Sequence, residues 1–187
     1  MTTRFLALFA TQAAMISMSV TVLAVDRQLS QIDQASLIKF AQANQAEIRL
    51  GNMAIQKGLN PAVKDFGKRM VTDHTAMQKD VKNFTDKVGL PLLSDISAED
   101  HATMNKLQGL SGAKFDRQYM HAMLKDHRKD VSEQEKLYEK TKNPTLKSLI
   151  GKTLPILQNH LLVAENVAGQ IGISPKLGLN RPEYMTG

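Results

Sequence analysis

From Asp33 onward, apolar residues recur at spacings of three and four, the period of a helix that turns one face to a core. The first stripe reads Phe40, Ala43, Glu47, Leu50 and Ala54, and it ends near Gly58. Asn60 and Pro61 open a second helix, because proline is tolerated at the first helical position. Its stripe is the clearest of all: Val63, Phe66, Met70, His74, Met77, Val81, Phe84 and Val88, stopped by Gly89 and Pro91. Residues 92–112 form a connection in which Ser97 to Leu107 predicts a short helix, with Ser97 as N-cap and Asp100 close behind. Gly109 to Gly112 breaks it. A third long stripe follows with Met120, Met123, His127, Val131, Gln134 and Tyr138. Asn143 and Pro144 begin the fourth, which reads Leu146, Ile150, Thr153, Leu157, His160, Ala164, Val167 and Ile171, closed by Gly172.

Short links join helices one and two, and helices three and four, so each pair folds back as an antiparallel hairpin. Two hairpins predict an all-α four-helix bundle spanning residues 33–172, with one short extra helix between the second and third long ones. The connection can return the chain in either direction, so this pattern leaves the topology open. Residues 173–187 carry Pro, Gly and polar residues without periodicity and are expected to be a disordered tail. A partial internal repeat sets Met70, Asp73 and His74 against Met123, Asp126 and His127.

Composition agrees with helices. Aromatics make up 5%, tryptophan is absent, and ten methionines help fill the core, whereas sandwiches lean on β-branched and aromatic residues. Without cysteine there is no disulfide framework and no thiol nucleophile. The formal charge of +6 is spread without a long basic block or interleaved aromatics, which reads as a solvated helical surface rather than a nucleic-acid interface.

The N-terminus reads as an address. Arg4 precedes an uncharged run from Phe5 to Val25, and Val22 to Ala24 resembles a small-residue cleavage site. Residues 1–24 are expected to be a secretory signal peptide. A retained membrane anchor is the alternative, since the run just reaches the length of a bilayer span. The expected location is accordingly periplasmic or secreted, or attached to the envelope membrane if the leader stays.

Each stripe is interrupted near its middle by one ionisable residue: Glu47, His74, His127 and His160. Buried ionisable groups are costly without partners, so one per helix suggests that they meet one another. Glu47 lies about 12 residues before the first hairpin turn and His74 about 14 after it, a mismatch of only ~3 Å along a helix. Three imidazoles and a carboxylate in one layer suit a single divalent transition metal: Zn, Fe, Mn or Cu. Two other readings stand beside it, a metal-free buried polar network and a coincidence among five histidines. Asp73 and Asp126 precede two of these histidines and read as surface charge, as outer acceptors that orient an imidazole, or as edge ligands to a second metal. His101 and His121 fall off the stripes and read as surface residues. Pro155 frees the carbonyl of Gly151 and is expected to bend the fourth helix shortly before His160.

Several segments together resemble the bacterial domain-of-unknown-function 4142 family. They are Phe40–Glu47 (FAQANQAE), Phe66–His74 (FGKRMVTDH), Gly112–Tyr119 (GAKFDRQY), Asp126 with His127, and Thr153 to Pro155 leading to His160. The likeness runs from Ala35 to Ile171 and implies an exported, ferritin-like four-helix bundle without an established activity. Di-iron bundles of that type pair Glu-x-x-His motifs. Here Val71, Leu124 and Leu157 stand three before the histidines, so a standard ferroxidase centre is not expected.

No phosphate loop, His-Glu-x-x-His run or nucleophile elbow occurs, which favours a binding protein over an enzyme. The expected function is a periplasmic metal-binding bundle for storage, buffering or stress protection. The alternatives are a metal-free envelope scaffold acting through its surface and a metal-dependent oxidoreductase.

Overall fold

A computed structural model describes residues 29–174 and shows five helices and no strand among them. They are α1 (Gln31–Lys57), α2 (Pro61–Val88), α3 (Ala98–Gln108), α4 (Gly112–Lys140) and α5 (Pro144–Gln170). The leader expected at 1–24, and all but two residues of the expected tail, lie outside the described residues.

Local chemistry sets the helix ends. Ser30 and Asp33 form a reciprocal capping box that starts α1 two residues before the apolar stripe does. Asn60 and Asn143 cap α2 and α5, each followed by proline at the first position. Ser97 and Asp100 make a second capping box for α3. Gly89 closes α2 in the left-handed region at φ 71°, a conformation that an L side chain resists.

The packing resolves the topology that the sequence left open. α1 packs against α2 and α4 against α5, while α2 adjoins α5 and α1 adjoins α4. The Asp116 carboxylate, in the second turn of α4, accepts the backbone N–H groups of Leu59 and Asn60 at 3.0 and 2.8 Å. The beginnings of α2 and α4 therefore share one end of the bundle, and the two helices run parallel across its diagonal. α3 carries the chain back along the outside. Arg49 on α1 pairs with Asp95 just before α3, and Lys57 at the end of α1 reaches the Gln108 carbonyl at its far end. One long crossover with two hairpins is the ferritin-like arrangement. Among the described residues, no helix is long and apolar enough to cross a membrane.

The core has two apolar halves. One gathers Leu50, Val63, Phe66, Met70, Phe115, Met120, Met123, Leu161 and Ala164. The other gathers Leu37, Phe40, Met77, Val81, Val131, Leu146, Ile150 and Leu157. Every long helix passes from one half to the other through a buried polar residue: Asn44 and Glu47 on α1, His74 on α2, His127 on α4 and His160 on α5. The stripes were legible with small corrections. Tyr138 is 39% exposed beneath Lys147, and Leu137 takes the core position at that end of α4. Both residues continue the three-four spacing from Gln134, so periodicity alone does not choose between them. Ile173, assigned to the tail by its sequence, is buried and donates its N–H to the Ala168 carbonyl.

α1 and α2 approach closely at two glycines. A Cβ on Gly67 would lie 2.8 Å from the Ala54 Cβ and 2.8 Å from the Gly51 carbonyl oxygen. Gly67→Ala should therefore destabilise the bundle by about 1–3 kcal/mol through overpacking, even though alanine favours helix by about 1 kcal/mol elsewhere. Urea unfolding measures the difference, and an unchanged or raised midpoint would show that the two helices separate without cost.

Candidate metal centre

His74, His127 and His160 meet at the centre of the polar layer, 1%, 0% and 0% exposed. Their ring centroids lie 5.7 Å (His74–His127), 5.2 Å (His74–His160) and 5.4 Å (His127–His160) apart. One nitrogen of each ring falls within 4.8 Å of the other two. Phe66 closes the layer on one side, its ring edge against His127 at 6.2 Å.

One nitrogen of each ring is committed to a neighbouring oxygen. His127 Nδ1 donates to the Met123 carbonyl one turn back, at 3.0 Å. His160 Nε2 donates to Asp73 Oδ2 across the α2–α5 seam at 2.8 Å, and Arg69 holds the same oxygen at 3.4 Å. His74 Nδ1 donates to Asn44 Oδ1 on α1 at 2.9 Å. Carbonyl and carboxylate oxygens only accept, so these partners set the tautomers. The remaining nitrogens, His74 Nε2, His127 Nε2 and His160 Nδ1, carry lone pairs and have no hydrogen-bond partner. Outer acceptors that orient imidazoles in this way are the usual surroundings of metal-ligating histidines.

Burial holds all three rings neutral. It lowers His74 well below the ordinary histidine range, with repulsion from His127 and His160 adding to it. His127 falls to about 3, by burial and then by His160, partly offset by its bond to Met123. His160 is lowered by burial against the opposing pull of Asp73. A cation entering this layer would thus meet free lone pairs rather than protons.

Of the residues singled out in the sequence, the structure groups the three histidines and sets Glu47 beside them. Glu47 Oε1 lies 3.8 Å from His127 Nδ1, the nitrogen already bonded to Met123, so the carboxyl stands behind that ring. Its burial, followed by the charges of Asp126, Asp130 and Asp100, raises its pKa well above the carboxylate range. Asp73 does not serve its neighbour His74 but reaches another helix to hold His160. Asp126 makes no hydrogen bond to any of the three rings, and burial, with the charge of Asp100, raises its carboxyl to about 6. His101 is exposed and bonded to Asp95, and His121 is exposed. Asn44 was missed because an asparagine on an amphipathic helix is ordinary; its place on the face of Ala41 and Glu47 was the available signal.

Comparison with known proteins comes to the same fold. A family model described as "Domain of unknown function (DUF4142)" matches residues 19–167, and the chain belongs to that family. Among solved structures, one titled "CopM in the Cu(II)-bound form" aligns with a TM-score of 0.63 at 17% identity. The alignment covers 73% of this chain and 95% of that one, and at such identity it shows a shared fold. Among curated proteins nothing matches.

The neutral histidines make a pH prediction. Their folded pKa values lie below the unfolded value near 6.5, so the unfolded chain takes up protons that the folded chain refuses. Their contribution to stability is intact above about pH 6.5 and is lost as pH falls toward the folded value, about 3 for His127. In chelator-treated protein at about pH 5, two-bond ¹H–¹⁵N spectra should show His127 neutral with its proton on Nδ1. A doubly protonated His127 at that pH would contradict the burial described here.

Proposed function

We propose that this member of the family binds one divalent transition-metal ion per chain through His74 Nε2, His127 Nε2 and His160 Nδ1. The observation that carries this reading is the division of labour within each ring: one nitrogen held by an oxygen acceptor, the other buried with no partner. Three unprotonated imidazole nitrogens in an apolar core repel one another and have lost their water, a cost of several kcal/mol that a cation removes. If the three nitrogens form a triangle of edge 4.8 Å, each lies about 2.8 Å from its centre, against about 2.0–2.1 Å for a metal–imidazole bond, so each ring closes by under about 1 Å.

Copper(II) is our first choice among Zn, Fe, Mn and Cu. Imidazole sites bind it most tightly of the divalent first-row ions, and the structural neighbour is titled in a Cu(II)-bound form. Three neutral ligands leave the ion's charge to be balanced from outside the rings, by Asp73 behind His160 and Glu47 behind His127. Exported through its N-terminal leader, such a bundle serves metal storage, buffering or stress protection in the periplasm. The buried layer and the lack of any other catalytic pattern favour holding the ion over turning over a substrate.

The test is metal uptake by the purified mature chain. Wild type should bind about one Cu(II) per chain, His127→Ala should bind none tightly, and Asp73→Asn should weaken binding about 10–100-fold by releasing His160. Chelation should lower the melting temperature and added metal restore it. A folded wild type that takes up no Cu(II), Zn(II), Fe(II) or Mn(II) would sink the proposal.

A further inference from the structure

An ion that reaches the histidine layer must pass between two helices, because all three rings are sealed from solvent. Three of the four seams are blocked. Gly51 and Gly67 bring the backbones of α1 and α2 so close that neither position has room for a Cβ. α3 lies over the α1–α4 seam, tied down where Glu99 pairs with Lys125 at 2.7 Å and Lys129 at 3.6 Å. Two bridges of 3.2 Å each, Arg128 to Glu165 and Gln158 to Glu135, cross the α4–α5 seam.

The α2–α5 seam differs. Of the three residues that hold a ring nitrogen, Asn44 and Met123 are fully buried, whereas the Asp73 side chain is 29% exposed. Its Oδ2 accepts from His160 Nε2 at 2.8 Å, and the same oxygen pairs at 3.4 Å with Arg69, which is itself 41% exposed. A polar chain therefore runs from water to one ring of the layer. Its outer link is an exposed ion pair, a kind that is weak and screened by salt. The helix that carries His160 also has a proline in its interior. Pro155, five positions before the ring, has no N–H for the Gly151 carbonyl, which leaves a gap in the backbone bonding of α5.

We propose that the ion enters and leaves through the α2–α5 seam, where Asp73 collects it for His160 and Arg69 gates the passage. This rests on the reading of the three histidines as the metal site. A cation arriving at the Asp73 carboxylate meets the charge of Arg69 and competes with it for Oδ2. Once Asp73 turns to the cation, the His160 ring loses its bond and is free to move, so it is the ligand that takes the ion inward. His74 and His127 stay held by their buried partners. A guanidinium on the route repels a dication beside it more than one already in the layer, since Coulomb repulsion falls with distance. Removing Arg69 therefore speeds uptake and release together and changes affinity less than rate.

Stopped-flow mixing of Cu(II) with the full mature chain reads the uptake rate, and equilibrium titration against a competing chelator reads the affinity. At low salt Arg69→Gln should take up Cu(II) about 3–10-fold faster than wild type, Arg69→Glu faster still, and both gains should shrink as ionic strength rises. Lys125→Gln/Lys129→Gln removes charge from the opposite seam and loosens α3, and its uptake should stay within about twofold of wild type. All three side chains are exposed, so every variant should keep its helical circular dichroism. Two results would overturn the route while leaving the metal site standing: a wild type that binds Cu(II) with Arg69 variants no faster than it, or a lysine variant that speeds uptake as much as they do. A folded wild type that binds no Cu(II) at equilibrium would overturn the metal site, and the route with it.

Discussion

Three imidazole nitrogens without partners, sealed in the middle of an apolar core, are the constraint around which this bundle is arranged. Each is unfavourable on its own, because a buried acceptor that has given up water costs about 1–3 kcal/mol. The other nitrogen of each ring is nonetheless provided for, by Asn44, the Met123 carbonyl and Asp73, drawn from α1, α4 and α2. The fold has thus met the polar requirement of one nitrogen in each ring and left the other buried without a partner. Such selective neglect reads as function, since a histidine kept only for packing would be satisfied at either nitrogen or replaced by leucine.

That constraint demands register. Each long helix must bring its polar residue to the same height, so the hairpins and the crossover have to be held axially. Close approach at Gly51 and Gly67 locks α1 against α2, and Asp116 ties the α1–α2 turn to the second turn of α4. The two apolar halves on either side then act as clamps: a shift of one turn, about 5.4 Å, would drive a histidine into a cluster of Met and Phe. Anchors gathered toward the α1–α2 end suffice because a helix transmits position along its length.

Much of this was legible in the sequence, and the reason is periodicity. A histidine at the core position of an amphipathic stripe must point inward whatever the topology, which is why His74, His127 and His160 could be named together. Glu47 was named by the same logic, yet its side chain leans toward α4 and stands behind His127. Spacing gives the face of a helix but not the direction of a long side chain between two neighbours. Topology was illegible for a related reason. It rests on Asp116 accepting two N–H groups more than fifty positions away in the chain, and nothing local distinguishes that aspartate from a solvated one. The roles of Asn44 and Asp73 belong to the same class, since each acts on a ring of a different helix.

The asymmetry between the two sides of the bundle follows from this arrangement. At the α2–α5 seam, Asp73 is partly exposed and paired with Arg69, so the charge behind His160 stays solvated and its pull on the ring is modest. At the α1–α4 seam, Glu47 is sealed from water and crowded by other acids, so its carboxyl is held well above its usual range. A dication in the histidine layer would be felt from both sides, but only the buried carboxyl lies in surroundings of low dielectric, where a full charge acts over several ångströms with little screening. The crossover helix is what creates that difference. By laying α3 over one seam and leaving the opposite seam open, the fold makes two unlike environments for carboxylates that a symmetric bundle would have made alike.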